Sequence, residues 1–243
     1  MRIPRFYYPN YLAIGELTLE DDTAKRISKV LRMQEGEEII LFNNTGKQFK
    51  ANINKIFKTQ ITINIFQEEI TKTESPLTLE LTQAVSNKDT MDLAIQKAVE
   101  LGVTSISPII TTFSQMKINN HILAKKHEHW QKVIISACEQ CGRNFIPTLN
   151  LTQSIDSWLK NLNKNTVRLV ANPRAKFNFA GLTKPKDNII ILIGPEGGFS
   201  EEEITTLEKE NFMSIKLGPR ILRLETATIA ALTLIQHYFG DLD

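Results

Sequence analysis

The run Asn188-Ile189-Ile190-Ile191-Leu192-Ile193, followed at once by Gly194-Pro195-Glu196-Gly197-Gly198-Phe199-Ser200, constrains the fold more than any other stretch. A short aliphatic, β-branched run with no polar alternation reads as a strand buried on both faces, as in a parallel sheet. Gly194 and Pro195 end it. Ser200 then stands where a helix N-cap belongs, and Glu203 completes a capping box. Phe199 and Ile204 fall at the flanking staple positions, so a helix is predicted from about Glu201. Strand, glycine loop and helix together describe an α/β unit, and ligands bind in the loops at the carboxyl ends of such strands.

A second loop of this kind lies close by. Ser214-Ile215-Lys216-Leu217 reads as a short strand, and Gly218-Pro219 breaks it. From Glu225 to Phe239, apolar residues at Ala227, Ala230, Ala231, Leu234, Ile235 and Tyr238 form a helical stripe. Its first members are small, so something packs closely on the first two turns. Two such loops so near in sequence point to one composite pocket. Its ligand is not a polyphosphate. Neither GxxxxGK[ST] nor GxGxxG is present, and the predicted helix opens on Glu201, Glu202 and Glu203. A neutral or cationic ligand fits this charge better.

The rest of the chain divides near residues 68–76, a polar stretch ending in Pro76. Before it, strands are expected at Glu38–Phe42, Phe49–Phe57 and Ile61–Phe66, with Asn43-Asn44-Thr45-Gly46 as a hairpin turn. One helix, about Asp22–Leu31, interrupts them, and a small β barrel is the expected architecture. After it, strands at Leu77–Ala84, Val103–Ile110, Val167–Ala171, Ile189–Ile193 and Ile215–Leu217 alternate with helices at Thr90–Leu101 and Leu123–Cys141, an α/β layer with a mostly parallel sheet. The 243 residues suffice for two small domains, expected at 1–72 and 73–243. Lys and Arg number 29 against 27 Asp and Glu, so any nucleic-acid site must be a local patch. No apolar run reaches the roughly 18 residues of a membrane span, MRIPRFYYPN has no apolar signal region, and two cysteines fit a reducing cytoplasm.

GPEGGFS followed by LGPRILRLETA resembles the SPOUT methyltransferases, and specifically the RsmE-type ribosomal RNA uridine-N3 methyltransferases. MRIPRF, VLRM, QKAVELGV and ACEQCGR resemble that family in the same order, so the likeness spans the chain. It implies a PUA-like RNA-binding barrel followed by a SPOUT domain with a carboxyl-terminal trefoil knot, an exception to the rule against threaded loops. It implies S-adenosylmethionine in the knot loops, with a pocket of Val170, Asn172, Ile193, Gly194, Pro195, Glu196, Gly197, Leu217, Gly218, Ile221, Leu222, Leu224 and Thr226. A sulfonium donor without phosphate suits the acidic helix start. The resemblance further implies 16S ribosomal RNA of the small subunit as substrate, a homodimer, and no metal.

Transfer to uridine N3 must remove a proton from the Watson–Crick edge, so the target must be unpaired or flipped out. Glu196 and Glu225 are the carboxylates nearest the loops and candidate bases, while Arg223 or Arg174 could stabilise the developing anion. The residues leave this choice open. Arg2, Arg5, Arg26 and Arg32, interleaved with Phe6, Tyr7, Tyr8 and Tyr11, form a candidate RNA patch, joined by Arg143 and Arg174. Charge runs of this kind are also ordinary solvated faces. Cys138 and Cys141 make a CxxC that ends a helix rather than beginning one, and His127 and His129 point to different faces, which argues against a metal or redox site. Two other activities are compatible with the loops: methylation at another RNA position such as a ribose 2′-hydroxyl, and a non-catalytic RNA-binding assembly role.

Overall fold

In the strand Ile61–Ile70, Ile61, Ile63 and Ile65 are fully buried while Asn64 is exposed, the period-two pattern of a half-buried strand. The computed structural model describes residues 3–114, 119–162, 165–177, 179 and 188–242. It divides the chain into two units: Met1–Glu74 with Cys138–Ile146, and Ser75–Ala137 with Pro147–Asp243.

The first unit contains β1 (Arg5–Tyr7), β2 (Gly15–Leu19), α1 (Asp21–Lys25), β3 (Glu38–Phe42), β4 (Lys47–Ile56) and β5 (Ile61–Ile70). The helix expected over 22–31 forms as α1 and continues as a π-helical turn, Arg26–Val30, which buries Ile27. The sheet order is β1-β3-β4-β5-β2, with β1 parallel to β3 and the other pairs antiparallel. The predicted hairpin turn joins β3 to β4, with Asn44 and Gly46 both at positive φ, 64° and 79°. Among the described residues β1 and β2 are the edges of this sheet. One core of Phe6, Leu19, Ile27, Leu41, Phe49 and Ile53, together with the three β5 isoleucines, fills it.

The segment Cys138–Ile146 belongs to this unit through polar bonds that sequence spacing does not reveal. Arg26 donates both terminal nitrogens to Glu139, at 2.9 and 2.5 Å, and the Tyr7 amide donates to the same carboxylate at 3.0 Å. Arg5 donates to Asn144 Oδ1 at 2.6 Å and to the Gly142 carbonyl at 3.1 Å. Arg143 Nε donates to Glu74 at 3.0 Å. Asn144 is 1% exposed and bonds to Thr71. A boundary read from composition alone assigns 138–146 to the other part of the chain, because neither an apolar stripe nor a charge run marks it.

The second unit holds β6 (Leu79–Ala84), α2 (Lys88–Glu100), β7 (Ser105–Ile110), α3 (Asn120–Cys141, up to Ala137), β8 (Thr148–Leu149) and β9 (Gln153–Ser154). It continues with α4 (Ile155–Leu159), β10 (Thr166–Ala171), β11 (Asn188–Ile193), α5 (Glu201–Lys209), β12 (Met213–Ile215) and α6 (Leu224–Phe239). The strand order is β12-β10-β11-β6-β7-β8, with β9 also on β7, and every pairing among the described residues is parallel. In β11, Ile189 to Ile193 are all buried, as the unbroken apolar run requires. The short elements β1, β2, β8, β9 and α4 are not legible in the sequence, since two to five residues carry no period. The chain passes from β6 to β7 on one side and later inserts β11 on the other, so the strand order reverses at β6. Ligands bind beside such a switch point, at the carboxyl ends of the strands.

Candidate functional site

Three loops leave the carboxyl ends of β10, β11 and β12 at one edge of the sheet, with β11 next to the switch strand. The β11 loop is built around its glycines. A Cβ on Gly194 would stand 2.8 Å from the Phe199 ring, so only glycine lets that ring fold back over the root of the loop. Phe199 and Ile204 both pack on the apolar core beneath, as the staple predicts. The Gly198 amide closes a turn on the Pro195 carbonyl at 2.9 Å, with Gly198 at φ +73°. The capping box is present: Glu203 N donates to Ser200 Oγ at 3.1 Å, and Ser200 N donates to Glu203 Oε2 at 2.8 Å. Glu203, 8% exposed, accepts two further bonds from Thr112, at 2.8 Å from its amide and 3.1 Å from its hydroxyl. One buried carboxylate thus ties the loop after β7 to the start of α5. Phe113, in that same loop, lies against Gly197, where a Cβ would come 3.1 Å from its own.

Glu196 is exposed, and its Oε1 accepts bonds from the Ser86 hydroxyl and from Asn87 Nδ2 at 3.3 Å. Asn87 also caps α2, accepting from the Thr90 amide at 3.1 Å. Just before them, Gln83 is fully buried; its Oε1 accepts from Thr228 Oγ1 at 2.8 Å, and its Nε2 lies 3.5 Å from the Ile193 carbonyl. Sequence reasoning missed Gln83, Ser86, Asn87 and Phe113. The signal was available: Gln83 lies near the end of β6 and the others follow β6 and β7, and the carboxyl ends of those strands are where the switch-point rule directs attention.

The β12 loop is more open. Its root is held where the Lys216 amide donates to the Phe177 carbonyl at 2.8 Å. Gly218 adopts φ +99° with nothing within 4 Å of a Cβ position, so the left-handed backbone alone demands glycine there. Leu217 and Leu222 are half-buried, Leu224 is buried and Ile221 is 88% exposed, a run of aliphatic side chains over a loop otherwise in solvent. Arg223 is the N-cap residue of α6, with its carbonyl accepting from Ala227 N at 2.8 Å and its side chain exposed. Glu225 lies in the first turn of α6, where a carboxylate favours the helix dipole, and Thr226 beside it is exposed. On the third side, Asn172 follows β10: its amide donates to Ile215 O at 2.9 Å, and its Oδ1 accepts from the Arg174 amide at 2.9 Å. Val170 is buried in the strand end.

The cofactor residues read from the sequence therefore lie on three loops of one unit. Among the proposed RNA contacts, Arg2 lies outside the described residues. Arg32, at φ 54°, and Arg174 are exposed. Arg5, Arg26 and Arg143 are engaged inside the first unit, and Arg143 is 4% exposed beside Glu74. Arg143 is thus placed as a structural ion pair rather than as a charge offered to solvent, because Glu74 and the 138–146 segment enclose it. Cys138 is buried and burial pushes its thiol up to about 12, which keeps it protonated and unreactive. Among the described residues no group of three or more His, Cys, Asp or Glu is placed to hold a metal.

Comparison with known proteins finds relatives over the whole chain. Residues 73–236 match the family described as RNA methyltransferase domain, and residues 19–66 match the RNA methyltransferase PUA domain. A ribosomal RNA small subunit methyltransferase E of Buchnera aphidicola subsp. Schizaphis graminum is 40% identical over 242 residues, 99% of this chain and 98% of that protein. A crystal structure of the enzyme of the same name from Neisseria gonorrhoeae, bound to S-adenosyl methionine, superposes with a TM-score of 0.94 at 34% identity, covering all of both chains. A putative methyltransferase from Legionella pneumophila, in complex with the bound cofactor SAM, does so at 0.95 and 39%, also over both whole chains.

Proposed function

The chain belongs to the ribosomal RNA small subunit methyltransferase E family of RNA methyltransferases, and from that premise we propose that it methylates N3 of a specific uridine in 16S ribosomal RNA, with S-adenosylmethionine as donor. The observation that carries this reading is that the β10, β11 and β12 loops leave the same edge of the parallel sheet, with β11 next to the switch strand β6, in a chain that superposes over its whole length on relatives holding that donor.

The residues present fit the donor. The opening turn of α5, with Glu201, Glu202 and Glu203, disfavours a phosphate-bearing ligand and favours a cationic one. Ile221, Leu222 and Leu217 supply aliphatic surface, and Gly197 leaves backbone open to close approach. When bound, the donor supplies a methyl group on a sulfonium leaving group. The chain's contribution is alignment: the glycine loop, fixed by the capping box and by Phe199, holds one side, and the α6 N-terminus holds the other. Arg223 and Glu225 stand at that N-terminus, exposed and half-buried respectively, within the element that faces the open loop. Arg223 stabilises the uridine anion left at N3, and Glu225 is the side chain placed to accept its proton.

The first unit, matching a PUA domain, is the RNA-binding part, with Arg26, Lys29 and Arg32 among its exposed charges. The reading includes a carboxyl-terminal trefoil knot, supported by the insertion of β11 between β10 and β6 ahead of α6. The active form is an isologous homodimer in the cytoplasm, acting on the small subunit. Among the described residues no helix is long and apolar enough to cross a membrane.

The test is mass spectrometry of nucleosides from small-subunit ribosomal RNA of a strain lacking this gene, with and without complementation. Loss and restoration of 3-methyluridine is the expected result. Unchanged 3-methyluridine overturns the reading, and a different missing methyl mark transfers the activity to another RNA position.

A further inference from the structure

We propose that the end of β6 and the residues after it, Gln83 to Asn87, form the bracket that positions the donor loop, and that Glu196 latches the loop to this bracket rather than accepting the proton of methyl transfer. The proposal rests on the methyl-transfer reading above.

β6 is the strand at which the sheet order reverses, so its carboxyl end is fixed on both flanks, by β11 and by β7. Three polar side chains leave that end, and each reaches a different part of the site. Gln83 is fully buried and meets two elements at once: Thr228 in the second turn of α6 and, at 3.5 Å, the carbonyl of Ile193, the last residue before the loop. Thr228 is also fully buried. A buried amide and hydroxyl persist only where each finds a partner, so this pair sets the distance between the root of the β11 loop and α6. Ser86, 5% exposed, donates its hydroxyl to Glu196 Oε1. Asn87 donates to the same oxygen at 3.3 Å while its own Oδ1 caps α2. The loop tip is thereby bonded to the corner between β6 and α2.

Glu196 is the carboxylate of the Gly194-Pro195-Glu196-Gly197 turn, and both donors hold its Oε1 against that corner. Two donors on one oxygen fix the side chain's direction. A group so held orders the loop but does not swing to follow a proton. An amide in its place keeps an acceptor oxygen for Ser86 and Asn87 and has no basic lone pair to offer, so the two roles separate cleanly on Glu196→Gln.

The experiment measures S-adenosylmethionine binding to the full chain by calorimetry and by the donor-induced rise in melting temperature, alongside the pH profile of kcat on small-subunit RNA. Ser86→Ala and Glu196→Ala each weaken donor binding about tenfold, the loss of a hydrogen bond to a charged group. Glu196→Gln recovers most of that loss, and the midpoint of its kcat profile stays at the wild-type pH. Wild-type donor affinity in Ser86→Ala overturns the bracket. A Glu196→Gln protein with full donor affinity, a kcat reduced a hundredfold or more and no pH-dependent limb overturns the latch and makes Glu196 the proton acceptor. Failure of the unaltered chain to bind the donor is a separate result, and it overturns the methyl-transfer reading itself.

Discussion

The two units hold their polar interiors together by different means. In the first, the clasp over Cys138–Ile146 is ionic: Arg26 with Glu139, Arg143 with Glu74, and Arg5 on Asn144 and backbone carbonyls. In the second, the bonds around the loops come from neutral donors: Thr228 on Gln83, Ser86 and Asn87 on the Glu196 carboxylate, and Thr112 on the Glu203 carboxylate. Charge in this molecule therefore has more than one role. Arg5, Arg26 and Arg143 each hold the 138–146 segment, Arg26 with its side chain still half exposed, while the donors around the loops of the second unit are uncharged.

The contrast can be broken most forcefully at Glu74. Arg143 is buried beside it, so Glu74→Ala leaves a guanidinium without its carboxylate and costs about 3 kcal/mol. Chemical denaturation of the full chain reads this directly, and a cost under about 1 kcal/mol would mean that the clasp is not ionic in effect. In the second unit the equivalent blow is steric. Gly194→Val drives a side chain into the Phe199 ring, costing about 2 kcal/mol and displacing the loop. Donor binding should fall well beyond what the stability loss accounts for, and intact donor affinity would remove the β11 loop from the site.

A gentler probe is acid. Hydrogen bonds from Lys50 and then Gln48 hold the Glu69 carboxyl below the usual carboxylate range. A depressed folded value stabilises above the ordinary glutamate pKa of about 4.3, and that stabilisation is lost as pH falls below it. Fluorescence or hydrogen-exchange probes in β4 and β5 should loosen in this window more than probes in β11; equal loosening would erase the distinction between the units. The smallest effect concerns Cys138. With its thiol pushed up to about 12, it stays protonated at pH 8 and should resist alkylation in the native state, and rapid labelling would show that the 138–146 segment opens.

Much of both units was legible. The unbroken apolar run of β11, the Ser200–Glu203 capping box, the Phe199–Ile204 staple and the turn before β4 each rest on local chemistry, and local chemistry is what a sequence displays. The ends of β11 and β12 were legible for the same reason, since glycine and proline mark where strands stop. What was hidden depends on contacts distant in sequence. Gln83 meets Thr228 across 145 positions, and Ser86 meets Glu196 across 110. Neither pair carries a periodic or charge signal. The partners of the arginines were hidden for the complementary reason: a positive side chain looks the same in a sequence whether solvent or a buried Glu139 faces it.

The assignment of Cys138–Ile146 to the first unit also orders events during synthesis. The strands β1 to β5 leave the ribosome while Glu139, Arg143 and Asn144 have yet to be translated, so Arg26 lacks the Glu139 carboxylate, and Arg5 has Gln48 but not Asn144, until the 138–146 segment is made. The amino-terminal part of this protein is consequently not a module that can be excised at residue 74. A gene fragment ending there encodes a sheet without its clasp, and the nascent chain must hold that unfinished state until its own later helix arrives.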